Sequence, residues 1–250
     1  MTELWLVDLE RAAPALQALE SAEPRLSEDD RARAKKIAHL RERRHRLAAY
    51  IALRVALERI AGRQVRGADF ARASDGKPSL AGGQAAFSLS HSDGFALLGV
   101  TRLGENGIDL EQARSVRVSQ LRQRLIVAAG NGLADMPLAT ESGEEAFLQA
   151  WSRLEAFAKA RGSGLARLLA DVGVRGGSSD TMAPARVEAA AQHIVGESGL
   201  KVHDLALPPG LYGAVAVGQA APVPRVRAFP AKGPAIERLL ASRAAPGRGR

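Results

Sequence analysis

The sequence predicts an α+β fold built from two similar halves, and three features carry that expectation. Short apolar runs at residues 4–9, 86–90, 95–101 and 211–217 have the length of strands. Residues 31–60 are rich in Ala, Leu, Arg and Glu, with apolar positions recurring on one helical face, and 144–160 read as a second helix. The run Leu211-Tyr212-Gly213-Ala214-Val215-Ala216-Val217 resembles residues 95–100 in pattern, so each half ends in a strand pair. The division that follows is an N-terminal half over 1–104, a C-terminal half over 105–220, and a tail over 221–250.

In chain order, residues 4–9 form the first strand. Ser27 caps a helix whose first turn carries Glu28, Asp29 and Asp30 at the positive end of its dipole. The helical stretch 31–60 has His45 as the point where it would break or join, and Gly62 ends it. Residues 73–78, Ala-Ser-Asp-Gly-Lys-Pro, read as a turn, followed by two strands on either side of His91-Ser92-Asp93-Gly94. Residues 108–111 leave a second turn as a short strand. Gly130, Gly132, Pro137 and Gly143 mark 128–143 as a loop before the helix 144–160, which Gly162 stops. Loops and weak strands run on to about residue 219. The prolines and arginines beyond 221 read as a mobile basic tail with one short helix at 236–240.

No window approaches the roughly 20 apolar residues of a membrane helix, and the chain opens without a basic region followed by an apolar segment, so the expected location is cytoplasmic. There is no cysteine, which excludes disulfides, thiolate metal sites and a cysteine nucleophile. Any metal must then be held by carboxylates, histidines or carbonyls, which makes the hard ions magnesium, calcium and manganese the main candidates. The net charge of +8 divides unevenly: residues 221–250 hold seven basic residues against one acid, leaving +2 for the body. Within that body, residues 25–66 hold thirteen basic residues against five acids, a patch suited to phosphates or an acidic partner.

Three groups of residues carry chemistry. Asp109 and Glu111 alternate on a strand, so both carboxylates face one side and can reach one ion; alone, the pair reads equally as a solvated or salt-bridged pair. Trp151, Glu155 and Lys159 recur every four residues along one helical face, where the plainer reading is a surface ion pair beside a core tryptophan. Phe87-Ser88-Leu89-Ser90-His91-Ser92 offers hydroxyls and a partly charged imidazole to a phosphate. Ser90 and His91, as strand neighbours, face opposite sides and do not form a serine nucleophile with its base.

In their order and spacing, Gly76-Lys77-Pro78, Phe87-Ser88-Leu89-Ser90-His91-Ser92, Gly107-Ile108-Asp109-Leu110-Glu111, and Trp151 with Glu155, Ala156, Lys159, Gly162, Gly164 and Leu165 resemble the 4′-phosphopantetheinyl transferases of the surfactin-synthetase-activating type. The resemblance spans residues 26–217. It implies a pseudo-symmetric monomer with coenzyme A between its halves. It also implies magnesium, with manganese the alternative, on Asp109, Glu111 and Glu155, and transfer of phosphopantetheine to the serine of an apo acyl or peptidyl carrier protein. Glu155 and Lys159 are then catalytic. Arg33, Arg46, Lys77, Ser90, His91 and Lys159 match positions that contact coenzyme A. No membrane and no specific nucleic acid are implied as partners.

Two departures stand out. The family's usual lysine before the helix glutamate is Leu154 here, with Arg153 beside it about 100° around the helix. Residues 128–133 lack the acid that some members place there to deprotonate the carrier serine. The alternatives are a catalytically impaired member that binds coenzyme A or a carrier, and a nucleic-acid-binding protein using the basic patch and tail. The scarcity of aromatic residues weighs against the second.

Overall fold

Strand β1 (Glu3–Asp8) takes up the opening apolar run, and Asp8 caps helix α1 (Leu9–Ala22), accepting the Arg11 N–H at 3.0 Å. The computed structural model describes residues 2–72, 77–102, 104–138, 143–174 and 182–242. Helix α1, with Pro14 inside it, is not expected from the sequence. Helix α2 (Glu28–Lys35) starts at Ser27 as expected, with a reciprocal cap between Ser27 and Asp30. Helix α3 (Leu40–Ala61) is separate from α2. The break expected at His45 lies instead at residues 36–39, where the Arg43 guanidinium binds the Ile37 carbonyl at 2.8–3.0 Å, and His45 is buried inside α3.

A short 3-10 turn leads to a two-stranded ribbon, β2 (Phe70–Arg72) and β3 (Pro78–Leu80). Most of the turn expected at 73–78 lies outside the described residues. Strands β4 (Ala86–Ser92) and β5 (Phe95–Thr101) form a hairpin that joins β1, and Asp93 in its turn adopts a positive φ of 45°. Apolar residues of β1, β5, α1 and α3 fill one core.

The C-terminal half opens with β6 (Asn106–Gln112), followed by α4 (Gln120–Leu133), α5 (Glu144–Arg161), α6 (Leu165–Asp171), α7 (Pro184–Ser198), β7 (Leu200–Asp204) and β8 (Leu211–Gly218). Its antiparallel sheet has the order β6-β8-β7, backed by a core from α4, α5 and α7. The loop expected from residue 128 is therefore helix as far as Leu133. A Cβ at Gly130 would run into Ala150 of α5, and one at Gly132 into Glu188 of α7, so these glycines allow close helix approach rather than a turn. Helices α6 and α7 likewise replace expected loops.

The tail also differs. Strand β9 (Val226–Ala228) pairs in parallel with β1, giving the first sheet the order β4-β5-β1-β9, and helix α8 (Gly233–Ala241) packs on α1 and α3. The Phe229 N–H bonds the Leu6 carbonyl at 2.8 Å, its ring meets Trp5 edge-on at 6.2 Å, and Ile236 is fully buried. Pro234 opens α8, where proline's missing donor is harmless. Residues 221–242 thus pack with β1, α1 and α3, and the short helix expected at 236–240 is present within α8; residues 243–250 lie outside the described residues. Among the described residues no helix is long and apolar enough to cross a membrane.

Replacing Ile236 by Ala should cost about 2–5 kcal/mol of stability by leaving a cavity against α3. Urea denaturation measures this directly, and an unchanged midpoint would place α8 outside the cooperative core.

Candidate active site

Strands β4 and β6 are edges of different sheets that lie side by side without a main-chain ladder. Serine hydroxyls join them. Ser88 Oγ accepts the Ile108 N–H at 3.3 Å, Ser90 Oγ the Leu110 N–H at 3.3 Å, and Ser92 Oγ the Gln112 N–H at 3.0 Å. Each pair is 20 residues apart in sequence, so alternate residues of one strand read alternate residues of the other. This fixes Asp109 beside Ser90, whose hydroxyl donates to Asp109 Oδ1 at 2.8 Å.

Helix α5 approaches β6 from the C-terminal half. A Cβ at Gly107 would overlap the Ala156 carbonyl and the Ala160 amide, so only glycine lets the helix sit this close. The approach brings Lys159 Nζ to 2.7 Å from Asp109 Oδ1 and 3.5 Å from Ser90 Oγ. Asp109 Oδ2 is buried and meets no hydrogen-bond partner among the described residues.

Burial raises the Glu111 and Glu155 carboxyls above the usual range, and in both the negative charge of Asp109 adds to the rise. Arg114, 2.9 Å from Glu111, and Lys159, beside Glu155, act in the opposite direction. Among the described residues no group of three or more His, Asp or Glu side chains converges in a metal-binding arrangement. The acids are instead held by cations, Asp109 by Lys159 and Glu111 by Arg114. An orphaned carboxylate oxygen with two further acids in electrostatic range has the donor chemistry that a hard divalent ion requires.

Seven of the nine residues chosen from sequence line one cleft of about 500 Å³: Arg33, Arg46, Lys77, Ser90, His91, Glu155 and Lys159. Asp109 and Glu111 are absent from its walls, and Asp109 lies just behind Ser90 and Lys159. Both halves contribute. Arg33 is braced by Asp29 at 2.7 Å, Arg46 lies 5.8 Å from the Tyr50 ring centroid, and Lys77 binds Glu105 and, at 3.2 Å, the Ala160 carbonyl. Leu165, the last residue of the helix motif, also lines the cleft, as do Asp30, Leu53, Phe70 and Arg72, none of which carries a sequence motif that marks it. A second cavity of about 860 Å³ shares Arg46 and His91 with the cleft.

His91 departs from the partly charged imidazole expected of it. Although the residue stays open to the cleft, lost solvation and then the charges of Arg46 and Lys159 lower its pKa to about 4, so the ring is neutral near pH 7. It donates or accepts a hydrogen bond there but adds no charge until an anion arrives. Arg153 is likewise no substitute cation. It is fully buried, pairs with Asp204 at 2.6 Å and binds the Gly130 and Met136 carbonyls, tying α5 to α4 and β7. Trp151 stacks with Phe147 at 5.8 Å against the C-terminal core rather than in the cleft.

In an NMR titration of the free protein, the His91 ring should protonate near pH 4, and a bound phosphate compound should raise that midpoint. Because the folded value lies below the unfolded one, the stability linked to this ring is present above about pH 6.5 and lost as pH falls toward 4. A midpoint at 6.5 in the free protein would contradict this geometry.

No family model matches the chain. Two named proteins are similar to it. The 4′-phosphopantetheinyl transferase HetI of Nostoc sp. is 32% identical over 170 residues, covering 66% of this chain and 70% of that protein. A protein of Synechocystis sp., provisionally named a 4′-phosphopantetheinyl transferase, is 27% identical over 168 residues, covering 65% of each. With that identity and coverage, the chain belongs to the 4′-phosphopantetheinyl transferase family.

Proposed function

We propose that the protein transfers 4′-phosphopantetheine from coenzyme A to a serine of an apo acyl or peptidyl carrier protein, acting as a cytoplasmic monomer of the surfactin-synthetase-activating type. The observation that supports this best is the meeting of Ser90, His91, Lys77 and Arg46 from one half with Glu155 and Lys159 from the other, in a cleft backed by Asp109. Its volume suits a nucleotide-sized ligand.

In this reading Arg33, Arg46 and Lys77 hold the nucleotide phosphates and His91 donates a hydrogen bond to the pyrophosphate, while Ser90, whose proton goes to Asp109, lines the same site. Asp109, Glu111 and Glu155 would hold magnesium or manganese, which when bound supplies positive charge to the pyrophosphate. Taking up the ion requires Glu111 to leave Arg114 and Asp109 to share its charge with more than Lys159. Lys159 then faces the leaving phosphate. The carrier serine oxygen bonds to the β-phosphorus, the bond from that phosphorus to the bridging oxygen breaks, and 3′,5′-adenosine bisphosphate departs with the electron pair. Residues 128–133 lie inside α4 and carry no acid, so the serine proton passes to the Glu155 carboxylate or to water. Most of the work is positioning and charge neutralisation.

A mass-spectrometric assay with purified apo carriers, coenzyme A and magnesium should show one added phosphopantetheine per carrier. Chelation should stop the reaction and added magnesium restore it. Asp109→Ala should lower kcat/KM by about 100-fold or more while keeping the fold. Binding of coenzyme A with no mass gain on any carrier would favour the impaired-member reading, which the departures at Leu154 and residues 128–133 motivate.

A further inference from the structure

One part of the cleft wall is built from two small pieces. Helix α2 supplies Asp30 and Arg33, and the three-residue strand β2 supplies Phe70 and Arg72. Neither piece has much core of its own, since α2 buries only Asp30 and Ala34 and β2 is half to fully exposed. One side chain beneath the cleft ties them together.

Arg54 of α3 is 1% exposed and does not line the cleft. Its Nε and Nη2 both donate to Asp30 Oδ2, at 2.9 and 2.6 Å. Its Nη1 donates to the carbonyls of Val65 and Ala68, at 2.9 and 2.6 Å, and its Cζ lies 3.9 Å from the Phe70 ring centroid. The same Asp30 carboxylate accepts the Ser27 N–H that starts α2. Asp29, next in sequence, binds Arg33 at 2.7 Å and lies 3.8 Å from Arg72. A single guanidinium therefore sets where α2 and β2 stand relative to each other, and with them two cations and an aromatic face of the cleft.

We propose that Arg54 is a positioning residue for the nucleotide end of coenzyme A, fixing Arg33 and Phe70 without touching the ligand. This rests on the reading of the cleft as the coenzyme A site. In that reading the chemical step takes place at Lys159 and Asp109, which Arg54 does not touch, so Arg54 governs affinity and leaves that step alone. A lysine cannot replace it, because one ammonium cannot span the carboxylate and two carbonyls as the planar fork does.

Two variants of the full chain test this. Arg54→Lys keeps the buried charge, and the double variant R54M/D30L removes the ion pair without leaving either charge buried alone. In both, KM for coenzyme A should rise by roughly tenfold with kcat within about twofold of wild type, the signature of lost uniform binding. The preference for coenzyme A over dephospho-coenzyme A should fall as well, since Arg33 would no longer be held for the extra phosphate. A general loosening of the fold would not move that ratio. Folded variants with unchanged KM, a fall in kcat that matches the fall in kcat/KM, or failure of both variants to fold would each make Arg54 a scaffold residue only. Wild-type protein that binds no coenzyme A by calorimetry would instead overturn the reading of the cleft itself.

Discussion

The structure depends on the hydroxyl seam between β4 and β6. Two edge strands that belong to different sheets must satisfy their main-chain groups, and an ordinary ladder would merge the sheets into one. Ser88, Ser90 and Ser92 solve this by reaching across with side chains, so that Ile108, Leu110 and Gln112 find acceptors while the sheets stay separate. Because Ser90 is half-committed to that seam, its own proton is free for Asp109. The join between the halves and the placement of the central carboxylate are thus one set of bonds.

What was legible in the sequence follows from the same geometry. Ser88, Ser90 and Ser92 alternate, as do Asp109 and Glu111, and Glu155 and Lys159 are one helical turn apart; each pattern survives folding because its period is that of its element. The illegible parts are those where composition stood for structure. Gly130 and Gly132 resemble loop residues in isolation, and only Ala150 and Glu188, distant in sequence, show that they serve helix contacts. Pro224, Pro230 and Pro234 resemble a disordered tail, yet they flank β9 and open α8, and Phe229 and Ile236 between them reach the core. Phe70 and Arg72 could not be picked from sequence, since what draws them to the cleft is Arg54 below and Asp29 beside them.

The charges of the site are arranged as exchangeable pairs. Asp109 is neutralised by Lys159, and Glu111 by Arg114, so close carboxylates are tolerated without an ion at a modest electrostatic cost. The two cations differ in what their release implies. Arg114 is half exposed and can turn to solvent, whereas Lys159 is fixed on α5 by the close contact at Gly107 and remains in the cleft. Arg114 can therefore leave Glu111, whereas Lys159 stays as a fixed positive charge beside Asp109.

This arrangement also resolves the substitution that most sets the sequence apart from its family pattern. Leu154 is fully buried among the apolar residues of the C-terminal core, while Glu155, one position on, faces the cleft. From this helix the cleft walls take Glu155, Ala158 and Lys159, and the Leu154 side chain is not among them. A lysine there would have to thread its ammonium out of the core, and the charge it brought would reach the cleft only by its full length. Leucine at this position packs in the core and brings no cation to the cleft wall. Arg153, on the next face, spends its charge wholly on Asp204 and the end of α4. The positive charge of the cleft rests on Lys159 with Lys77, Arg33, Arg46 and Arg72, and none of these depends on the residue at 154.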